Sequence, residues 1–152
     1  MPSLLSINEI AAVETHPLRH AILRPQQTLA DCVFPGDDGV GTFHFGGFLD
    51  GRLVVIASVM KEREQRFQEF AAMKQFRLRG MATALDEQGK GFGSAVLDAC
   101  VERCWAEGGE IFWCNARTSA ANFYQKRGFS TLPETFEIPA IGPHQVMFLD
   151  RE

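Results

Sequence analysis

Residues 81–94 of this 152-residue chain have the composition of an anion-binding loop. They read Met-Ala-Thr-Ala-Leu-Asp-Glu-Gln-Gly-Lys-Gly-Phe-Gly-Ser, with glycines at 89, 91 and 93. Glycines keep side chains away from the main chain, and a helix that begins here leaves its first N–H groups without partners. These N–H groups and the helix dipole attract a phosphate. The stretch therefore predicts a strand end, a phosphate-binding loop and the first turn of a helix.

Spacing excludes two common phosphate-binding loops. A Walker loop needs four residues between its first glycine and Gly-Lys-Ser/Thr, and the chain contains no such string. A dinucleotide-binding loop needs Gly-x-Gly-x-x-Gly, but the last position falls on Ser94 when counted from Gly89 and on Val96 when counted from Gly91. The pattern that remains is Gln88-x-x-Gly91-x-Gly93 behind Met81-Ala82-Thr83.

That pattern resembles the pyrophosphate loop of the GNAT superfamily of acyl-CoA-dependent N-acetyltransferases. A second segment is similar to the GNAT stretch in which a strand ends in Asn and a short helix supplies Asn and Tyr before Arg-Gly-Phe. Here it reads Asn115-Ala-Arg-Thr-Ser-Ala-Ala-Asn122-Phe-Tyr124-Gln-Lys-Arg-Gly-Phe129. The two segments span residues 76–129, about a third of the chain. The resemblance implies an α/β fold with a mixed, mostly antiparallel sheet, helices on both faces and a splayed pair of parallel strands.

The resemblance also implies residue roles. The main chain at Met81 and Thr83 would bond the pantetheine arm of acetyl-CoA like an added strand, and Asn115 and Asn122 would flank that arm. Tyr124, the single tyrosine, would protonate the departing CoA thiolate. The implied acetyl-CoA site comprises Met81, Ala82, Thr83, Gln88, Gly89, Lys90, Gly91, Phe92, Gly93, Ser94, Asn115, Asn122 and Tyr124.

The general base is not evident from the sequence. Some family members place Glu four residues before the position of Met81, where this chain has Arg77. Other candidates are Glu62, Glu64, Glu69 and His44, each of which is also compatible with an ordinary surface position. An amine with a low pKa would need no base.

The acceptor side is predicted to involve residues 15–41 and 61–74. The arginines Arg19, Arg24, Arg77 and Arg79 could bind an anionic acceptor such as an amino-acid carboxylate, or could pair with nearby acids. The acidic sequence pI of 5.6 favours a cationic acceptor only slightly.

Composition sets the broad class. With 45% hydrophobic residues and a formal charge of -4, the chain suits one globular domain over residues 1–152 and no nucleic-acid surface. It has neither a signal-peptide pattern nor an apolar run that could span a membrane. Four cysteines without a Cys-x-x-Cys pair predict buried reduced thiols, no metal site and a cytoplasmic location. Exposed strand edges near the C-terminus make a homodimer conceivable.

Periodicity and turn signals predict the elements that position these segments. Strands are expected over residues 3–14, 42–49, 52–60, 75–83, 110–115, 135–138 and 145–149. Helices are expected over residues 15–24, 91–107 and 118–128. Asp50-Gly51 predicts a two-residue hairpin turn, and residues 25–41 a loop with an apolar plug at residues 32–34. Residues 61–74 could form a short amphipathic turn or a solvated loop.

The sequence thus predicts an N-acetyltransferase that transfers an acetyl group from acetyl-CoA to a primary amine of a small molecule or peptide by direct attack. Direct attack is preferred because no motif positions a cysteine as acyl carrier. The alternatives are a non-catalytic acyl-CoA-binding or sensing module and a domain that binds another diphosphate nucleotide.

Overall fold

A computed structural model describes residues 4–65, 68, 70–139 and 141–151. Within these residues seven strands form one sheet in the order β1-β2-β3-β4-β5-β7-β6. Every neighbouring pair is antiparallel except β4 and β5, which are parallel. The strands are β1 (Ser6–Ile10), β2 (Phe43–Leu49), β3 (Arg52–Lys61), β4 (Gln75–Thr83), β5 (Ile111–Arg117), β6 (Ser130–Ile138) and β7 (Gly142–Asp150).

Three α-helices connect the strands: α1 (Ala12–Leu18), α2 (Phe92–Ala106) and α3 (Ala121–Gln125). A π-helical turn, Arg19–Leu23, continues α1. Short 3₁₀ turns occupy Leu29–Cys32, Leu85–Glu87 and Thr118–Ala120.

Strand β3 lies inside the sheet, between β2 and β4, and carries helices on both of its faces. Val55, Ala57 and Val59 belong to the core cluster that includes the buried face of α2. The intervening Ser58 points to the opposite face, where Arg19 at the end of α1 bonds its hydroxyl at 2.9 Å. Side chains alternate between the faces of a strand, so this pattern requires a layer on each side. The predicted fold class is confirmed.

The hairpin prediction is also confirmed. Asp50 and Gly51 join β2 to β3 with φ values of 48° and 82°. Two successive positive φ values match the twist of the flanking strands, and Gly51 adopts its value without steric cost. The hairpin fixes the register of β3, which in turn pairs with β4.

The parallel strands β4 and β5 separate after a short paired region. They pair only from Gln75 opposite Ile111 to Arg77 opposite Trp113. Strand β4 then continues to Thr83 and β5 to Arg117 without pairing to each other. The predicted splay is therefore present, and it leaves main-chain groups of both strands facing a gap in the middle of the sheet.

The N-terminal boundaries differ from the prediction. Strand β1 ends at Ile10 and α1 begins at Ala12, three residues before the predicted start. Glu14 explains the earlier start, because its carboxylate accepts the Ala11 N–H at 2.7 Å. Pro17 consequently lies inside α1 rather than in its first turn.

The C-terminal strands are longer than predicted. They extend over Ser130–Ile138 and Gly142–Asp150. The register shifts between Thr131 and Thr135, around Pro133, which cannot donate to a ladder. This irregularity is tolerated because β6 is an edge strand. The predicted helix of residues 118–128 is shorter, a 3₁₀ turn followed by α3.

The loop and connector predictions have mixed outcomes. In the loop of residues 25–41, Cys32 and Phe34 are buried as predicted, whereas Val33 is exposed. In the connector of residues 61–74, the described residues after Lys61 form turns and irregular chain, which agrees with the predicted turn or solvated loop. Phe67 and Glu69 lie outside the described residues.

Candidate active site

A cavity of about 740 Å³ opens where β4 and β5 separate. Residues of β4 and β5 form its floor, and the segment after α1 and the loop between β6 and β7 contribute to its walls. Of the predicted site residues, Met81, Asn115 and Tyr124 line it together. The other lining residues named below are Arg24, Phe34, Arg77, Arg79, Gly80, Cys114, Arg117 and His144.

A β-bulge in β4 adjoins this cavity. Ser58 pairs with Arg79 and Ile56 with Ala82, so Gly80 and Met81 both lie opposite Ala57. Gly80 has φ of 62°, which a glycine adopts without strain. Its neighbour Phe34 lies 3.1 Å from where a Cβ would stand. The bulge therefore redirects the main chain at Met81 in the part of β4 that has no β5 partner.

The glycine loop has the expected geometry for receiving an anion. Gly89 and Gly91 have φ of 79° and 83°, and no atom lies within 4 Å of the Cβ that either would carry. The first helical hydrogen bond of α2 runs from the Ala95 N–H to the Gly91 carbonyl at 3.2 Å. Among the described residues, the N–H groups of residues 90–94 find no acceptor. Open space therefore faces a row of free donors.

Gly93 links the loop to the cavity. A Cβ at this position would lie 3.0 Å from Cε of Met81 and 3.8 Å from Oγ1 of Thr83. The first turn of α2 thus packs directly on the unpaired end of β4. A ligand at the loop would therefore lie next to the unpaired end of β4.

The polar side chains of the loop have partners within the protein. Gln88 donates its amide to the Thr83 carbonyl at 3.0 Å, and Lys90 pairs with Glu87 at 2.6 Å. The predicted point charge of Lys90 is therefore partly neutralised. Arg127 donates to the Ser94 hydroxyl. It brings a further cation to the start of α2.

Tyr124, the predicted proton donor, lines the cavity. Its ring packs edge-on against Phe123 and Phe129 at centroid distances of 5.1 and 5.2 Å. Burial, together with the Cys114 thiol that shares a hydrogen bond with the phenol, raises the pKa of Tyr124 above its ordinary value. The phenol is therefore fully protonated at neutral pH and available as a proton donor.

The two predicted asparagines have different environments. Asn115 is half-buried at the cavity, and its Oδ1 is enclosed without a hydrogen-bond partner among the described residues. A buried amide oxygen without a partner is costly, so a ligand N–H would be accepted there favourably. Asn122 is exposed on α3 and does not line the cavity.

None of the described candidate bases lines the cavity. The Glu62 carboxylate bonds Arg77 at 3.0 Å, and Glu64 is buried beside Gln75, whose side chain accepts its N–H at 2.9 Å. His44 is buried with its ring nitrogens 2.7 Å from the Ser58 hydroxyl and 3.0 Å from the Asp37 carbonyl. Glu69 lies outside the described residues.

His144 was missed at the sequence level. It lies on β7 opposite Arg117 of β5, is buried, and lines the cavity. Its Nδ1 lies 2.8 Å from the Gly142 carbonyl. A carbonyl only accepts, so Nδ1 carries a proton, and in the neutral imidazole Nε2 then keeps its lone pair. The sequence holds only a weak signal for His144 as a site residue, because it is the pairing of β5 with β7 in the folded protein that brings His144 to the cavity.

Arg19 is not part of the cavity lining. It is fully buried and bonds Asp37 at 2.7 and 3.0 Å, the Cys32 carbonyl at 2.8 Å and the Ser58 hydroxyl. Burial raises the pKa of Asp37, but hydrogen bonds from Arg19 and the Phe34 N–H outweigh it and hold the pKa below its ordinary value. Arg19 therefore fastens the loop of residues 25–41 to β3.

The comparisons with known proteins agree with this geometry. Residues 41–141 match the acetyltransferase (GNAT) domain family. The chain is 37% identical over 145 residues to the uncharacterized N-acetyltransferase YitI of Bacillus subtilis (strain 168), with 95% of each protein covered. The chain belongs to the GNAT family of acetyltransferases. It is therefore an acyltransferase that uses an acyl-CoA co-substrate and transfers an acetyl group to an acceptor.

Solved structures support the fold of this GNAT protein over nearly its whole length. Escherichia coli ElaA superposes with a TM-score of 0.78 at 18% identity, covering 97% of this chain and all of ElaA. An aminoglycoside 6'-N-acetyltransferase complexed with coenzyme A superposes with a TM-score of 0.75 at 10% identity, covering 95% of this chain and 96% of that one. At these identities the likeness concerns the fold alone.

The acetyltransferase has four free, buried cysteines, as the sequence predicts. Burial raises the pKa of Cys114, and likewise that of Cys104, to about 12. Along its described residues, no helix combines the length and apolar character that crossing a bilayer requires.

Proposed function

We propose that this GNAT acetyltransferase transfers an acetyl group from acetyl-CoA to a primary amine of a small molecule or peptide by direct attack, in the cavity between β4 and β5. The observation that carries the proposal is the coincidence of three features at one place. The unpaired end of β4, the enclosed Asn115 Oδ1 and the partly buried Tyr124 all border the same space.

The acyl-CoA would bind along two connected surfaces. The pantetheine arm would add to the free edge of β4 at Met81, Ala82 and Thr83, with its amide N–H accepted by Asn115. The pyrophosphate would be held by the main chain of residues 88–94, whose free N–H groups lie at the positive end of the α2 dipole. Arg127, which pairs with no carboxylate among the described residues, would supply a cation beside the first turn of α2. Asn122, which is exposed, would contribute at the outer end of the arm.

Acyl-CoA supplies an activated thioester carbonyl, and the amine displaces the CoA thiolate. The chain's own groups then have three tasks. The Met81 N–H in the bulge polarises the carbonyl oxygen. Tyr124 donates a proton to the departing sulfur, for which a protonated phenol is required. His144 accepts the proton that the amine must lose, since its Nε2 lone pair is free in the tautomer fixed by Gly142.

Cysteine acylation is disfavoured in this protein. Cys114 is the single cysteine that lines the cavity, and burial raises its pKa to about 12, so the nucleophilic thiolate is scarce at neutral pH. The direct route needs no such thiolate. The raised pKa thus supports direct attack.

Three further expectations accompany the proposal. Residues 1–152 would form one domain, supported by the core cluster that β2, β3, β4, β5, α2 and β7 share. A cytoplasmic location is supported by four buried free thiols. A homodimer could form through the exposed edge of β6.

Calorimetric titration with acetyl-CoA tests the co-substrate site, using Gly91→Asp and Gly91→Asn as a matched pair. Both side chains tolerate the left-handed conformation at φ of 83° and enter open space, so they differ in charge alone. Asp is also a favourable residue at a helix start and should not unfold α2. We expect Asp to weaken binding by about tenfold more than Asn, because its carboxylate repels the pyrophosphate.

Thiol release then tests turnover. Wild-type protein with acetyl-CoA and a panel of primary amines should release CoA. Binding without release by any amine would favour the non-catalytic sensing module. Equal affinity of both Gly91 variants and wild type would place the pyrophosphate elsewhere.

A further inference from the structure

The described lining of the cavity is strongly cationic. Arg24, Arg77, Arg79 and Arg117 contribute to it, and no Asp or Glu does among the described lining residues. The net charge of the whole chain is nevertheless negative. The excess of positive charge is therefore a local property of this cavity, where low-dielectric walls strengthen its field.

The four arginines differ in how their guanidinium groups are used. Arg77 bonds Glu62 at 3.0 Å and stacks on Trp113 at 5.1 Å. Arg24 donates to the Asp31 carbonyl at 2.6 Å, and Arg117 is exposed.

Arg79 differs from the other three arginines. Its side chain is half-buried, and its guanidinium makes neither a hydrogen bond nor an ion pair with any described residue.

The surroundings of Arg79 raise the electrostatic cost of its charge. Burial, followed by repulsion from Arg77, lowers the pKa of Arg79 to about 10. The group is still charged at neutral pH, with five N–H donors directed by a rigid plane. A buried cation without a counter-ion is unfavourable, and an anionic ligand would relieve this cost.

Phe34 holds Arg79 in place. The Phe34 ring is buried and is contacted by Arg19, Arg24 and Arg79, whose Cζ atoms lie 3.8, 4.7 and 4.6 Å from its centroid. Arg19 is fixed in turn by Asp37. The guanidinium of Arg79 therefore stacks on a platform that is itself anchored, so little conformational entropy is lost when it binds a ligand.

We propose that Arg79 binds an anionic group of the acceptor, so that the acceptor is a small molecule carrying a primary amine and a carboxylate or phosphate-type acid. This inference rests on the proposed acetyl transfer. A guanidinium binds two anionic oxygens through parallel N–H donors. Arg79 and Met81 are separated in β4 only by the bulged Gly80, and both line the same cavity. An acid bound at Arg79 would therefore lie close to an amine positioned beside Met81, as the two groups do in a short amino acid.

Matched acceptors test the proposal through thiol release from acetyl-CoA. The carboxylate arm compares phenylalanine with 2-phenylethylamine and 3-aminopropanoate with propylamine. The phosphonate arm compares 2-aminoethylphosphonate with ethylamine. We expect at least one acid-bearing amine to exceed its neutral counterpart by more than tenfold in kcat/KM, and the arm with the larger ratio identifies the acid.

Arg79→Gln should lower kcat/KM for the preferred acid-bearing amine by about a hundredfold, mostly through KM, and change the rate for its neutral counterpart by less than twofold. Arg103→Gln is the control of equal charge change, since Arg103 pairs with Glu9 and Glu107 on the outer face of α2. It should leave both rates unchanged.

Two results distinguish a failure of the Arg79 proposal from a failure of the proposed acetyl transfer. Suppose that acetyl-CoA binds, that neutral amines are acetylated as well as acid-bearing ones, and that Arg79→Gln does not lower kcat/KM selectively for the acid-bearing amines. The proposed role of Arg79 is then wrong, and the proposed acetyl transfer still holds. If no amine of either kind releases CoA, both the acceptor class and the proposed function are overturned.

Discussion

The Tyr124 phenol lies beside the Cys114 thiol at the gap between β4 and β5, and the thiol contributes to the raised pKa of Tyr124. Cys114 is buried on β5, and Tyr124 approaches it from α3. A thiol is a weak hydrogen-bonding group, so it does not compete strongly for the phenol proton. The phenol can therefore donate this proton to a departing thiolate.

Tyr124→Phe removes the proposed acid and keeps the ring packing. We expect kcat to fall by about 10²–10⁴-fold with acetyl-CoA affinity nearly unchanged, because the proton is needed only as the thiolate departs. Steady-state thiol release and calorimetry measure the two quantities. Cys114→Ala is the control, since it removes the thiol and keeps the phenol, and should lower kcat by less than tenfold. An unchanged kcat in Tyr124→Phe would remove Tyr124 from the chemistry.

His144→Gln separates a base from a structural histidine. The Gln amide can still donate to the Gly142 carbonyl, but it cannot accept a proton. We expect kcat/KM to fall by about 10²-fold or more for a strongly basic amine and much less for an amine that is already neutral at the assay pH. Equal losses for both kinds of amine would point to a packing role beside Phe136 instead.

Gly80→Ala tests the bulge. The substitution strains a φ of 62° and places Cβ 3.1 Å from Phe34 and 3.2 Å from Nε of Arg19. Gly51→Ala is the control, because it has a similar φ of 82° but no neighbour within 4 Å. Each should lose about 1–2 kcal/mol from the left-handed backbone, measured by urea unfolding. Gly80→Ala should lose more and should also lose activity, since it moves Phe34 and Met81; equal behaviour of the two variants would contradict this.

Acid should destabilise the protein through Asp37. Its folded-state pKa lies below the ordinary 3.8, so the stability it contributes is complete well above pH 3.8. That stability is lost as the pH falls from this value through the lower folded-state pKa. The unfolding free energy of the wild type should fall in this window, and Asp37→Asn should lack this part of the fall.

Asp37→Asn should also lose about 3–5 kcal/mol at neutral pH, because it leaves the buried Arg19 charge without its partner. Asp38→Asn is the neighbouring control, exposed and expected to unfold within about 0.5 kcal/mol of the wild type. Urea unfolding at a series of pH values measures both effects. If Asp37→Asn keeps the wild-type acid sensitivity, another carboxylate is responsible.

The sequence by itself determined the parts of this protein that depend on local geometry. Asp50-Gly51 fixed a hairpin because two positive φ values are needed there, and β4 with the glycine loop and α2 followed from periodicity and free glycine conformations. The predicted start of α1 at residue 15 is wrong. Pro17 is typical of the first turn of a helix, but the Glu14 carboxylate caps the helix at Ala11, so α1 begins earlier. Family membership rested on these same local segments.

Tertiary structure decided how the candidate site is completed and which charges remain available. Arg19 and Arg79 have the same side chain, but Arg19 is bound by Asp37 and Arg79 has no described counter-ion. Likewise, β7 brings His144 to a cavity formed mainly by β4 and β5, from a strand with no motif of its own. Such assignments depend on contacts between residues far apart in the chain, and neither periodicity nor spacing encodes them.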